Sequence, residues 1–467
     1  MDLLVDLRSH VAELILLVLW IALHFAQGGS HSKSNANRRL AQLGLIVIAI
    51  LCVTRLGDFS AFNLATGSST LTFGEWMVAD RLGALYQLLL AFTAFAAVKL
   101  RPKQSDGESS AFLSALVGVV ACGSIALSSF HLATTFFGVC GAVIFASQLN
   151  SNSAKARDTD VVASAKLPRA GLLIFGFGLL SLAVSSAGLG YRQIAIATSQ
   201  GWLDETLGGQ LAAWAMLSVG LLMLGRALLS DVAQTQARSQ QLMASVGIPV
   251  LMFGVWLRLT TSMYSGLVQG SPLNSDGGAL QLLQNLIFLV AALCLIFGAK
   301  ALKNASGCMA QLAACTPIHV ALLLAASFSL GQSGVEMSGF YAVIYTLAGV
   351  GAWAGLGLRS RWAALLWTAV ILAWVGLPPT AGMHVRWAIG QELLAGGHLW
   401  LAILIALSSL WMLLHLVPHI SKAFDAKTSS PGSRLLLVAC GGALLWGFAS
   451  LRLLSFLPFT GQDAVFW

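Results

Sequence analysis

The chain has 467 residues, 57% of them hydrophobic and only 9% charged, with a formal net charge of +8 and a mean hydropathy of +0.81. A soluble domain carries about 25% charged residues, so this composition excludes a water-soluble enzyme and makes lipid the solvent. The positive balance is spread over many short connections rather than gathered in one patch, which argues against a nucleic-acid partner.

Apolar runs follow one another almost without interruption. At roughly 20 residues per crossing, about fourteen spans are predicted. They centre near Leu17, Val47, Leu89, Val119, Gly138, Gly178, Met216, Leu251, Val290, Leu323, Thr346, Thr368, Ile405 and Leu444. The expected fold class is therefore an all-α polytopic membrane protein, with 1–467 as a single membrane domain. The first run, VAELILLVLWIALHFA, follows Asp2, Asp6 and Arg8 rather than a basic segment. No small-residue cleavage site comes after it, so it reads as a retained helix and not a signal peptide. The seven cysteines lie mostly inside apolar runs without a CxxC pair. They read as small apolar residues, with no disulfide and no metal site assigned.

Orientation comes from the basic residues. Lys33, Arg38 and Arg39 follow the first span, Lys99, Arg101 and Lys103 the third, and Lys155, Arg157, Lys166 and Arg169 the fifth. Arg238 follows the seventh, Lys300 and Lys303 the ninth, Arg359 and Arg361 the eleventh, and Lys422, Lys427 and Arg434 the thirteenth. The other side carries little beyond Arg8, Arg55 and Arg192. Odd-numbered connections are thus expected in the cytoplasm and both termini on the outer side, as in a bacterial inner membrane with a periplasm outside it.

Several ionisable groups remain at membrane depth, where a charge costs at least about 2.5–3.5 kcal/mol. Glu13, Arg258 and Arg452 stand near span ends and are read as reaching the interface. Asp80 and Arg81 form a candidate ion pair at the start of the third span. Arg226 and Arg386 follow glycine-containing apolar runs; either they carry a functional or electrostatic role, or they snorkel to the cytoplasmic surface. His131, His319 and His384 complete the set.

One stretch, VGLPPTAGMHVRWAIG from Val375 to Gly390, interrupts an apolar run. Pro378 and Pro379 remove backbone donors, and Gly376 and Gly382 flank them. Broken backbone inside lipid is tolerated only where protein buries it or a watery cavity meets it, and broken helices are common in transporters. The pattern predicts a helix break at Pro378, Pro379 and Gly382 with a charge about two turns further on.

GLPPTAGMHVR resembles the GIPPTAGF-x-x-K signature of the antiporter-like membrane subunits of respiratory complex I, most like subunit N of bacterial NADH:quinone oxidoreductase. CMAQLAACTPIHVALLL, Cys308 to Leu324, is similar to the family's K-R-x-L-A-Y-S-S-I-A-H-x-G-Y-x-L segment and places His319 on its histidine. FYAVIYTLAGVGAWA, Phe340 to Ala354, and HLATTFFGVCGAV, from His131, resemble two further family helices. The resemblance implies helices 1–3 over 1–103, inverted five-helix repeats over 111–258 and 278–418, and a C-terminal helix within 434–467. It implies broken helices at the seventh and twelfth positions, with Arg226 and Arg386 as equivalent charges. It also implies a part in proton translocation coupled to quinone reduction, without redox chemistry of its own. Quinone, iron–sulfur clusters and flavin would belong to partner subunits, none being bound by this chain. The implied partners are the other membrane and peripheral subunits of a complex I-like assembly, together with lipids.

The family attributes proton movement to a buried chain of a glutamate, lysines and a histidine. Here the glutamate position of the fifth helix falls on Cys140, the lysine positions of the seventh and twelfth on Arg226 and Arg386, and that of the eighth on Val246. Arginine stays protonated, with a pKa above about 12, whereas a buried lysine can release its proton. Two readings follow. Either His319 and water carry protons past fixed charges, or the fold is kept as a scaffold or electrostatic relay that moves none; the arginines favour the second. Antiporter-like subunits of membrane-bound hydrogenases, cation/proton antiporters and inorganic-carbon uptake complexes are the alternatives, and a standalone transporter a further one. No nucleotide loop or cluster motif points to an enzyme acting alone.

The orientation makes one measurable prediction. A cysteine introduced between Asn150 and Arg169 is expected to react with a membrane-impermeant maleimide only after the cytoplasmic side is opened; reaction from the outer side in intact cells overturns the assignment.

Overall fold

The computed structural model describes residues 9–26, 32–56, 70–73, 75–101, 106–151, 166–186, 188–194, 212–220, 238–263, 278–328, 331–356, 361–378, 380–424 and 436–444. Helices dominate. In chain order they are α1 (Val11–Phe25), α2 (Ser32–Leu56), α3 (Arg81–Leu100), α4 (Asp106–Leu127), α5 (Leu132–Ser151), α6 (Lys166–Ser185) and α7 (212–220). Then follow α8 (Arg238–Leu242, continuing through a π-helical turn at Met243–Gly247 into Ile248–Met263), α9 (Gly278–Asn304), α10 (Cys308–Ala314), α11 (Thr316–Phe328) and α12 (Gly331–Gly355). The series ends with α13 (Arg361–Val375), α14 (Ala381–Ala395), α15 (Leu399–Phe424) and α16 (436–444). Among the described residues, nine helices are long and apolar enough to cross a membrane, and Val11–Phe25, Ala170–Ser185 and Arg361–Val375 are shorter apolar helices. Each predicted span centre lies in a helix.

The chain divides into two compact units: Met1–Gln240 with Val250–Ala279 and Gln462–Trp467, and Gln241–Pro249 with Leu280–Gly461. In the first unit one element departs from the all-α expectation. Strands β1 (Thr70–Thr72) and β2 (Met77–Ala79) form an antiparallel hairpin, with Leu71 opposite Val78. Three residues per strand are too few to show a period of two in sequence. The hairpin is tied into the loops between helices. Val78 N–H donates to the Ser128 carbonyl at 2.7 Å, Phe130 N–H to Trp76 at 3.0 Å, and Tyr191 N–H to Phe130 at 3.2 Å. The Trp76 and His131 rings stack at 4.3 Å between centroids. Burial pushes the Tyr191 phenol up to about 12, so it stays a protonated partner for the Thr135 hydroxyl. Deeper in this unit, Trp214 meets Trp256 edge-on at 5.2 Å and Tyr86 lies against Phe253.

In the second unit the break predicted from VGLPPTAG separates α13 from α14. The helix ends because Gly376 takes φ +81°, a left-handed conformation that only glycine adopts without cost. Gly376 and Leu377 N–H groups both return to the Leu372 carbonyl, at 2.8 and 2.9 Å, the pattern of a glycine C-terminal cap. Pro378 then bars continuation, and Thr380, in extended conformation, precedes α14. Pro379 lies outside the described residues. Gly382 packs so closely on α13 that a Cβ there would collide with the Ala373 carbonyl.

Overpacking a tight contact costs about 1–3 kcal/mol. Gly382→Val is therefore expected to lower the thermal midpoint of the detergent-purified chain. Gly390→Ala, on the same helix with nothing within 4 Å of an added Cβ, is expected to leave it unchanged or raise it. Equal midpoints for the two variants count against the close approach.

Candidate functional site

The second unit gathers its polar side chains beside the helix break. Arg386, one turn into α14, is 6% exposed. Its Nη2 donates to the Trp374 carbonyl at 2.8 Å and, at 3.5 Å, to the Tyr341 hydroxyl on α12. Its Nη1 donates to the Ser409 hydroxyl on α15. The C-terminal cap of α13 explains the first bond: the Trp374 carbonyl has lost its i+4 helical donor and turns to the guanidinium instead. Gly376 serves the site twice, since a Cβ there would also collide with the Arg386 side chain.

His319 on α11 is fully buried. Its Nδ1 lies 2.8 Å from the Tyr341 hydroxyl. The Tyr341 oxygen also accepts from Arg386, so this hydroxyl links the imidazole to the guanidinium whichever ring nitrogen carries the proton. The ring stacks on Trp374 at 5.0 Å with 13° between planes and tilts against Tyr345 at 4.9 Å. Tyr345 in turn donates to the Ser245 carbonyl, which also accepts from Thr316 Oγ1 at 3.2 Å. That carbonyl sits in the π turn, and Pro249, four residues on, has no N–H to offer it. Two hydroxyls from other helices thus converge on one backbone acceptor inside the unit. Val246, beside it, is fully buried and packs on Gly349.

The cluster therefore joins His319 to Arg386 through Tyr341 and brings in the residue beside Val246 through Tyr345. It contains no carboxylate among the described residues. Cys140 is half-buried on α5 in the first unit, next to Gly141, which packs on Cys122. Arg226 lies outside the described residues. Tyr341, Ser409 and the Trp374 carbonyl were not singled out from sequence. The two tyrosines four residues apart in an apolar helix were the available signal, since a buried tyrosine hydroxyl needs a partner.

The first unit holds two ionic clusters whose members sequence reading placed elsewhere. Arg258, expected to reach the interface, is 2% exposed. It grips Asp80 with both Nη atoms and the Leu127 carbonyl with Nε and Nη2, at 3.1 and 2.9 Å. Asp80, paired in sequence terms with Arg81, also caps α3 by accepting from Gly83 N–H at 2.8 Å. The pairing across 178 residues is invisible to local reading. Glu13, also expected at the interface, is buried. It faces Arg55 and His10, each at 3.3 Å, and accepts from Gln87 at 2.8 Å and Ser128 at 2.5 Å.

Similarity to known proteins fits this architecture. No family model matches the chain. NADH-quinone oxidoreductase subunit N of Hydrogenovibrio crunogenus is 23% identical, covering 84% of each chain. That of Syntrophotalea carbinolica is 28% identical over a shorter stretch, 33% of this chain and 39% of the relative. Over most of its length, then, the chain is similar to NADH-quinone oxidoreductase subunit N. In fold, it matches a chain of the membrane-bound sulfane sulfur reductase, an archaeal respiratory membrane complex, with TM-score 0.80, 15% identity and coverage of 98% and 97% of the two chains. It also matches a chain of Thermus thermophilus respiratory complex I with TM-score 0.72, 19% identity and coverage of 95% and 98%.

Removing one member of a buried ion pair costs about 3–5 kcal/mol, whereas replacing both with apolar groups is often tolerated. Asp80→Ala is expected to destabilise the purified chain strongly, and Asp80→Ala with Arg258→Met much less. A double variant no more stable than the single one counts against the pair as the source of the loss.

Proposed function

We propose that the chain is a membrane-arm antiporter-like subunit of a complex I-type NADH:quinone oxidoreductase, in which it acts as a scaffold and electrostatic relay rather than as a proton carrier. The observation that carries this reading is Arg386: a buried guanidinium held by Tyr341, Trp374 and Ser409, with no carboxylate beside it among the described residues. A guanidinium keeps its proton under all physiological conditions, so this position supplies a constant field and not a transferable proton. The proposal includes about fourteen helices in two inverted five-helix repeats over 111–258 and 278–418, both termini on the periplasmic side, and redox groups confined to partner subunits.

The second reading is an equivalent place in a related respiratory or antiporter assembly. It is favoured by the fold match to the sulfane sulfur reductase chain and by a match to a chain of the Mrp complex from Dietzia sp. with TM-score 0.69. Copurifying subunits distinguish the two.

His319 is the one group of the cluster that ordinarily titrates near neutral pH. In the assembled complex reconstituted in vesicles, His319→Gln is expected to leave the proton-to-electron ratio unchanged. Arg386→Leu is expected to lower the yield of assembled complex several-fold, and Arg386→Lys to preserve it. A fall in the ratio for His319→Gln would show that this chain does carry protons.

A further inference from the structure

The connection between α4 and α5 carries a histidine that the second unit's cluster does not use. His131 stands immediately before α5, outside the apolar span Leu132–Leu149, and caps that helix. Its carbonyl accepts from Thr135 N–H at 3.0 Å, and its Nδ1 accepts from Ala133 N–H at 3.3 Å. A backbone N–H can only donate, so this bond requires an Nδ1 without a proton. The ring is neutral while the bond is made.

The same ring is where the β1–β2 hairpin rests. Trp76, the residue before β2, stacks on it with 4.3 Å between centroids and 7° between planes. Trp76 is 49% exposed, so water reaches the edge of the stack. The turn that delivers Trp76 is strained. Phe73 and Glu75 take φ of +50° and +73°, a region that residues with a Cβ rarely enter and keep only where surrounding contacts impose it. Beside the stack, Glu75 meets Arg192 at 3.0 Å, both about half exposed, a pair that water weakens. Backbone bonds from Val78 to Ser128 and from Phe130 to Trp76 complete the seam.

We propose that His131 is a pH-sensitive latch: neutral, it caps α5 and holds Trp76 flat against its ring; on taking a proton it loses the cap bond and loosens the strained hairpin from the α4–α5 connection. The hairpin brings Glu75 to this region, and the 188–194 segment brings Arg192 and Tyr191. Glu75 and Arg192 face each other, and the Tyr191 hydroxyl meets Thr135. Asp80 and Arg258, behind the connection, are engaged with each other. Both carboxylates thus already have an arginine. An indole face attracts a cation, which works against release. The lost acceptor, the positive end of the α5 dipole and partial burial, which holds His131 below the ordinary histidine value, work for it. The docked stack is therefore fully stabilised above about pH 6.5, the ordinary histidine value. That contribution is lost as the pH falls through the docked ring's own, lower value. On the proposed orientation, on which the physiological sense of the latch rests, this connection faces the periplasm, the side that proton translocation acidifies.

Hydrogen exchange of the 467-residue chain purified in detergent tests the latch. Protection of the Val78 and Phe130 amides, corrected for the intrinsic pH dependence of exchange, is expected to fall roughly 3-fold or more between about pH 7.5 and about pH 5. His131→Asn keeps a capping acceptor but does not titrate in this range. It is expected to show lower protection that no longer changes with pH; if it does not fold, His131→Gln takes its place. Glu75→Gln is expected to retain the wild-type pH dependence. Wild-type protection that stays flat, an equal fall in the His131 variant, or a pH dependence that vanishes with Glu75→Gln overturns the latch. Each of these leaves the proposed function standing, because copurifying subunits decide that reading separately.

Discussion

A guanidinium enclosed in protein and unable to lose its proton constrains everything around it in the second unit. It needs acceptors, and a regular membrane helix has none to spare, because each carbonyl is already bonded within its own helix. Breaking the helix is what frees one. Gly376 turns the chain left-handed, the cap returns two N–H groups to Leu372, and the Trp374 carbonyl becomes available to Arg386. The break at Gly376 and Pro378, which looks like a defect in an apolar segment, is therefore the means by which a charge is accommodated there.

The π turn of α8 likewise offers a backbone carbonyl to side chains of other helices. Pro249, four residues on, has no N–H to offer the Ser245 carbonyl, and Tyr345 and Thr316 both donate hydroxyls to it. Tyr345 then forms one wall of the His319 site. Two proline-containing interruptions thus place one backbone acceptor under Arg386 and another behind the histidine. The unit's polar cluster is assembled largely from backbone carbonyls and tyrosine hydroxyls, groups that orient a charge without exchanging protons readily at neutral pH.

The first unit solves the problem of buried charge by pairing. Asp80 and Arg258 satisfy each other, and the surplus donors of Arg258 go to Leu127. The Glu13 cluster draws on four helices, α1 to α4, through Glu13, Arg55, Gln87 and Ser128 with its flanking turn. Such pairs are costly to break and contribute specificity of arrangement more than net stability. They hold helix ends beside the β1–β2 hairpin, whose strands and neighbouring loops bond to one another.

By itself the sequence determined that the chain is a helical membrane protein and where α13 breaks, and it singled out Arg386 and His319, which the structure places in one cluster. These follow from local chemistry: hydrophobic length, glycine and proline stereochemistry, and the cost of a charge in lipid. It did not reveal that Arg258 belongs to Asp80, that Glu13 is enclosed, that Tyr341 bridges His319 to Arg386, or that three-residue strands form between helices. Those are contacts between residues tens to hundreds of positions apart, or elements too short to show a period. Only tertiary packing decides which distant side chain meets a buried charge, because membrane helices of similar apolarity give no sequence-level indication of which faces will adjoin.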